Sequence, residues 1–185
     1  MKHFLTGLLF SVSLFINLSA NEPLRQVASK DPQGYTIELD DGSIWKVTEK
    51  SLYNAKNYYK SGDLLVIYPV IFPFFSDSKF YFVNQSNGTS INVDLSLGPV
   101  SSNPCCIEIE DIDYNTGKVW LKDGRGYRTL WRINIDDISK FNRWLRGQAI
   151  ILGSNKRYND TIGSSFKYIL INVEKNNYIQ ASMLQ

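Results

Sequence analysis

Apolar and polar side chains alternate along several short stretches of the chain, and this alternation is typical of half-buried β-strands. The clearest stretch runs from Tyr35 to Val47 and contains an Asp-Asp-Gly turn. A three-residue loop at positions 40–42 sets Ile37 opposite Trp45 and gives the hairpin one apolar face, whereas a two-residue loop would mix the faces. The pattern therefore predicts a hairpin in which Gly42 adopts the left-handed conformation.

A degenerate copy of this hairpin returns between residues 117 and 133, and the turn glycines Gly42 and Gly124 are 82 residues apart. So long a period indicates two copies of one small domain rather than a solenoid of short repeats. We expect an all-β chain of two tandem SH3-like, five-stranded barrels, each with at most one short helix. In the second hairpin, an equivalent three-residue loop sets Leu121 opposite Arg125.

Shifts in composition suggest where the domains begin and end. A stretch rich in Gly, Pro and Ser separates the two copies and has the composition of a linker. The predicted organisation is a signal peptide at 1–20, an extended lead-in at 21–33, a first barrel at 34–97, a linker with a cysteine pair at 98–106 and a second barrel at 107–185.

The first twenty residues have the features of a cleavable secretory signal. Lys2 precedes an apolar run from Phe4 to Leu18, and the small residues Ser19 and Ala20 follow it. The run is shorter than the ~20 apolar residues that a membrane-spanning helix needs, so an uncleaved anchor is the weaker alternative. We expect a secreted protein, periplasmic or envelope-associated if bacterial, without a membrane span after cleavage.

Composition argues against several classes of chemistry. The only histidine, His3, lies in the predicted signal, so the mature protein would have none for a catalytic triad, a general base or a metal site. Loss of Lys2 lowers the formal net charge from +2 to +1, which argues against a groove that binds nucleic acid. We predict no catalytic residue, no metal and no cofactor.

Charged residues of the turns and of the second half have a structural interpretation. Asp40, Asp41 and Asp123 are of the residue type that serves in glycosidases and calcium loops, but each stands in a predicted turn, where aspartate binds the backbone. Five arginines make the second half locally basic, and we interpret them as a solvated face. They are Arg125, Arg128, Arg132, Arg143 and Arg146.

Two groups of aromatic residues are candidates for partner binding. Trp45 and Trp131 alternate in phase with core positions, but Trp120 is out of phase with its neighbours and is our choice for a surface tryptophan that stacks on a sugar or a peptide. Phe72, Phe74 and Phe75 crowd a Pro-rich segment that has no apolar counterpart in the second copy. This segment either fills the interface between the barrels or forms an exposed patch for a protein partner or a membrane surface.

Cys105 and Cys106 are adjacent in the predicted linker, and a secreted protein meets an oxidising compartment. A disulfide between neighbouring residues requires a strained eight-membered ring. We therefore predict a free pair or bridges between molecules, which makes the cysteines candidate cross-linking residues of a disulfide-linked oligomer.

The ordered marks of the repeat resemble those of uncharacterised secreted repeat proteins of chlamydia-like bacteria. The marks are Leu39-Asp-Asp-Gly-Ser-Ile-Trp45, Tyr59-x-x-Gly62-Asp, Val83-Asn84 and Ile91-Asn-Val-Asp-Leu95. In those repeats a tryptophan often occupies the position of Tyr59, as Trp144 does in the second copy. The resemblance covers most of the mature chain and implies a small-barrel repeat in a cell-envelope setting, without an activity or a site.

These observations favour a secreted or envelope-associated, non-catalytic binding module whose ligand is a protein or a cell-wall component. The first alternative is a structural envelope protein cross-linked through Cys105 and Cys106. The second is a hydrolase based on carboxylates, which the lack of histidine and of a recognisable site argues against.

Overall fold

The computed structural model describes residues 22–70, 76–155 and 165–184. The predicted signal peptide and the segment with Phe72, Phe74 and Phe75 lie outside these residues. In the described residues the chain is all-β, with two closed barrels of six strands each and two short helices.

The first barrel closes in the strand order β1-β2-β3-β6-β5-β4, and every neighbouring pair is antiparallel. A 3-10 turn at Glu49–Ser51 and helix α1, Leu52–Tyr58, connect β3 to β4. The strands are β1 Leu24–Lys30, β2 Thr36–Leu39, β3 Ile44–Val47, β4 Leu64–Pro69, β5 Phe80–Asn84 and β6 Ser90–Leu97.

The second barrel repeats this topology in the order β7-β8-β9-β12-β11-β10. A 3-10 turn at Ile135–Asp137 and helix α2, Ile138–Phe141, occupy the place of the first connector. The strands are β7 Ile107–Asp113, β8 Lys118–Asp123, β9 Arg128–Ile133, β10 Ala149–Ser154, β11 Tyr168–Asn172 and β12 Asn177–Met183.

Equivalent hydrogen bonds recur in the two barrels. The amide Nδ2 of Asn84 donates to Asp63 at 2.7 Å, and Nδ2 of Asn172 donates to Gln148 at 2.8 Å. Since the amide-bearing strand and the acceptor loop correspond in both copies, the repeat is conserved in its polar contacts as well as in its topology. The prediction of two tandem small barrels is confirmed.

Each barrel has six strands, so the predicted count of five is wrong. The additional strand of the first barrel is β1, which lies within the predicted lead-in and pairs with both β2 and β4 to close the barrel. Its inward positions are Arg25 and Val27, which are 7% and 1% exposed. The charged residue Arg25 occupies an inward position, so the sequence lacks the apolar alternation that would predict this strand.

The first hairpin has the predicted register, and the second does not. Ile37 pairs with Trp45, and Gly42 has a φ of 82°. In the second hairpin Leu121 pairs with Thr129, not with Arg125, because the loop is longer and contains a second glycine, Gly126, with a φ of 92°.

Each barrel has a fully buried tryptophan at the equivalent position of its core. Trp45 makes edge contacts with the rings of Phe80 and Phe82, whose centroids lie 5.6 and 5.1 Å away. Trp131 makes the equivalent edge contact with Tyr168 at 5.2 Å. These tryptophans fill the interior, as their phase in the sequence predicts.

The barrels pack against each other through strands β4 and β10. Ile151, Ile169 and Ile171 of the second barrel belong to the core cluster of the first. Gly153 permits this approach, because a Cβ atom there would lie 2.8 Å from the carbonyl oxygen of Ile67. A side chain at this position would push the two strands apart.

The linker contacts the hairpin turns of both barrels. The backbone N–H of Val100 donates to the carbonyl oxygen of Asp41 at 3.0 Å, and Nδ2 of Asn103 donates to that of Asp40 at 2.9 Å. On the other side, the N–H of Gly124 donates to the carbonyl oxygen of Cys106 at 2.9 Å. The linker is therefore an ordered part of the junction between the barrels.

Candidate functional site

The four tryptophans divide into three that are buried and one that faces outward. Trp45, Trp131 and Trp144 are 0% exposed, and each donates its Nε1 proton to a polar side chain, on Ser43, Thr129 and Asn177 respectively. Trp120 is partly exposed, and its Nε1 has no acceptor among the described residues. It lies on the outer face of β8, because its neighbours in the strand point into the core.

A β-bulge places two carboxylates beside this indole. Ile109 pairs with Leu121, and Asp111 pairs with Trp120, so Glu110 is an additional residue in strand β7. A bulge of this kind increases the local twist and redirects side chains. Glu110 and Asp111 consequently line the same shallow cleft as Trp120.

Two arginines from different parts of the barrel complete the cleft. Arg128, at the start of β9, places Nη2 2.6 Å from the carboxylate of Glu110, and Arg146, in the loop before β10, forms an ion pair with Asp111. The two guanidinium side chains are 67% and 70% exposed, so these are solvated pairs that contribute little to folding. We call this open space of about 340 Å³ the Trp120 cleft. It is lined by Glu110, Asp111, Trp120, Arg128 and Arg146.

The first barrel has the same bulge but not the same side chains. Its register shift lies between Val27 and Ser29, which makes Ala28 and Ser29 the counterparts of Glu110 and Asp111. Glu38 takes the place of Trp120, since each precedes its hairpin turn at the same register position, and Ser29 donates to Glu38 at 2.7 Å. The shared scaffold therefore carries the indole and its two ion pairs only in the second copy.

A second charged cluster is buried in the first barrel. Arg25 Nη2 lies 2.6 Å from the carboxylate of Asp41 and 2.8 Å from that of Asp40, while Arg25 Nε has no hydrogen-bond partner in the described residues. Asp41 is 1% exposed and accepts from the N–H of Ser43 at 2.9 Å. Burial raises the pKa of Asp40, and the nearby carboxylate of Asp41 adds to this shift, so the attraction of Arg25 does not reverse it. This cluster fixes the turn, which agrees with the structural interpretation of both aspartates.

The cysteines are free thiols with different environments. Cys106 is buried, and Cys105 is partly exposed. Burial, with Glu108 and Asp41 nearby, raises the pKa of the Cys106 thiol to about 11, so that thiol is a poor nucleophile. Of the two candidate cross-linking residues, only Cys105 has a side chain within reach of another molecule.

The described residues form neither a metal-binding cluster nor a membrane-spanning helix. Residues 22–70, 76–155 and 165–184 contain no group of three or more His, Cys, Asp or Glu side chains that could hold a metal ion. Within the same ranges, no helix has the length and apolar character needed to cross a membrane.

Sequence reasoning identified one of the five residues of the Trp120 cleft as a candidate. Trp120 is identified by its phase in the strand, whereas the bulge at Glu110 and the approach of Arg146 depend on pairing that the alternation does not reveal. Comparisons with protein-family models, with curated proteins and with solved structures found no match to this chain.

Proposed function

We propose that this chain is a non-catalytic binding protein, secreted or held in the cell envelope, that contacts a protein or cell-wall ligand through the Trp120 cleft. The observation that carries the proposal is an outward indole beside two ion pairs, whose N–H donor has no acceptor among the described residues. Exposed tryptophan and arginine are the residue types that contribute most often to binding energy. Their absence from the equivalent surface of the first barrel argues that the fold does not require them.

The non-catalytic part rests on how the carboxylates are paired. A hydrolase based on two carboxylates needs one of them protonated to serve as the acid. Glu110 and Asp111 each form a salt bridge with an arginine, so both carboxylates of the cleft are already engaged by a cation. Such an arrangement suits recognition of a ligand better than proton transfer to it.

Co-sedimentation with isolated bacterial cell envelopes tests the proposal. We expect the wild-type protein to sediment with the envelopes and Trp120→Ala to lower the apparent affinity about tenfold, because the indole contact is lost. Tyr53→Ala is the matched control, since Tyr53 is an aromatic residue that is 70% exposed on helix α1, outside the cleft. Equal sedimentation of wild type and Trp120→Ala, or none by either, would overturn the proposal.

A further inference from the structure

We infer that the ligand of the Trp120 cleft is a neutral glycan, one sugar ring of which stacks on the indole of Trp120. The inference rests on the proposed function and narrows its ligand from a protein or cell-wall component to an uncharged carbohydrate chain. Three properties of the cleft support it: balanced charge, a mixed set of donors and acceptors, and an aromatic surface beside closed strands.

The charges that line the cleft balance locally. Glu110 pairs with Arg128 and Asp111 pairs with Arg146, so two negative and two positive side chains surround the indole. A polyanion would be attracted by the guanidinium groups and repelled by the carboxylates at nearly the same distance. The cleft thus offers little electrostatic preference for a charged polymer.

The same ion pairs leave hydrogen-bonding capacity for hydroxyl groups. A guanidinium has five N–H donors and a carboxylate has about four lone-pair sites, so a single contact between them uses only part of either group. A sugar hydroxyl both donates and accepts, and it can bind a donor and an acceptor that stand side by side. The Nε1 of Trp120, which has no acceptor in the part of the chain that the structure describes, adds one more donor at the edge of the indole.

The position of the indole suits stacking by a ring. Trp120 is held on a strand whose adjacent residues, Val119 and Leu121, are 0% and 1% exposed, so the platform is set by the barrel and not by a loop. The C–H face of a sugar ring is apolar, while its rim is polar. A ring on the indole would bring its rim toward the two carboxylate–guanidinium pairs.

The topology disfavours an extended peptide as the ligand. Peptides in that conformation usually add to an unpaired sheet edge through backbone hydrogen bonds. Both barrels are closed in the described residues, so their strands offer no such edge. Four of the five cleft residues are charged, which also leaves no apolar pocket for a side-chain anchor.

Titration of the full protein with chitohexaose and with cellohexaose, followed by tryptophan fluorescence and calorimetry, tests the inference. We expect binding of at least one of these neutral hexasaccharides, weakened about tenfold by Trp120→Ala and less by Trp120→Phe, which keeps a smaller aromatic face. Asp111→Asn, which keeps the shape of the side chain, should also weaken binding. Glu38→Ala changes the equivalent position of the first barrel and should leave the affinity unchanged.

Salt dependence separates a neutral ligand from an anionic one. Between about 50 and about 500 mM NaCl the affinity for the neutral hexasaccharide should change less than about twofold, since no net charge is neutralised on binding. Failure of both hexasaccharides to bind, or tighter and salt-sensitive binding of polygalacturonate, would overturn the inference. If neither binds while envelope sedimentation still depends on Trp120, the glycan assignment fails and the proposed function stands.

Discussion

Where the second barrel carries Trp120 beside Glu110 and Asp111, the first barrel carries Glu38 beside Ala28 and Ser29. The strand order, the bulge and the interior hydrogen bonds are nevertheless the same in both copies. Residues that close the barrel have thus been retained, while the outer face of β7 and β8 has changed. This difference directs the search for binding to the second copy.

In a second difference between the copies, the first barrel carries a charged residue where the second carries an apolar one. Arg25, Asp40 and Asp41 form a buried ionic cluster in the first barrel, whereas Ile107 occupies the position of Arg25 in the second, as the pairing of Arg25 with Leu65 and of Ile107 with Ile150 shows. The first cluster lies at the turn that binds the linker. The first copy therefore uses its distinctive charges to hold the junction, and the second displays its own on the surface.

The largest expected effect concerns the tryptophans. Trp45→Ala and Trp131→Ala each remove a fully buried ring, and we expect each to lower the free energy of unfolding by about 3–5 kcal/mol. Trp120→Ala removes a ring from the surface and should change it by less than about 0.5 kcal/mol. Urea denaturation followed by circular dichroism measures all three variants.

Trp45→Phe and Trp131→Phe accompany these variants in case an alanine variant does not fold. The comparison between copies would be broken if Trp120→Ala were as destabilising as Trp131→Ala, because Trp120 would then be part of the packing. If Trp120→Ala leaves the free energy of unfolding nearly unchanged, binding remains the reason for a tryptophan on the outer face.

Arg25 supplies the next effect in size. Arg25→Met removes the cation from a site where Asp41 is 1% exposed. The buried charge that is left uncompensated should lower the free energy of unfolding by about 3–5 kcal/mol. We expect the lower end of this range, because Asp40 is partly solvated. Ile107→Met, the matched change in the second barrel, should cost less than about 1.5 kcal/mol. Chemical denaturation at neutral pH gives both values.

Replacement of all three charges tests the physical reason for this effect. The triple variant Arg25→Met, Asp40→Asn and Asp41→Asn leaves no unpaired charge and should regain much of the stability lost in Arg25→Met. A loss below about 1 kcal/mol in Arg25→Met alone would mean that water reaches Asp41 and that the cluster does not hold the turn.

The sequence contains enough information for the repeat and the first hairpin, because alternation and the length of the turn together determine which residues face each other. Strand β1 is not predicted, because Arg25 interrupts the apolar positions. The register of the second hairpin is predicted wrongly, because Arg125 and Gly126 lengthen the loop. Trp120 is predictable from its phase. Its neighbours are not, because the bulge at Glu110 shifts that phase and Arg146 is brought in by tertiary structure.

Asp40 gives the smallest and most specific effect. Burial raises its pKa above the ordinary value of 3.8, so the folded state retains this proton over a pH range in which the unfolded chain has lost it. Wild-type stability from this group is therefore highest at low pH and falls as the pH rises through the raised pKa. Asparagine carries no such proton, so the stability of Asp40→Asn relative to wild type should increase from about pH 3.5 to about pH 6.

Denaturation of both proteins at several pH values within that range measures the difference, which should be a fraction of the Arg25→Met effect. Lys122→Asn is the matched change at the turn of the second barrel, and its difference from wild type should stay constant, because this change removes no carboxyl group. If the advantage of Asp40→Asn were instead constant or decreased with pH, attraction by Arg25 would outweigh desolvation at Asp40. The ionic cluster of the first barrel would then stabilise the ionised form of Asp40. The first barrel would differ from the second in having a stabilising ion pair, and not in bearing the desolvation cost of a buried carboxylate.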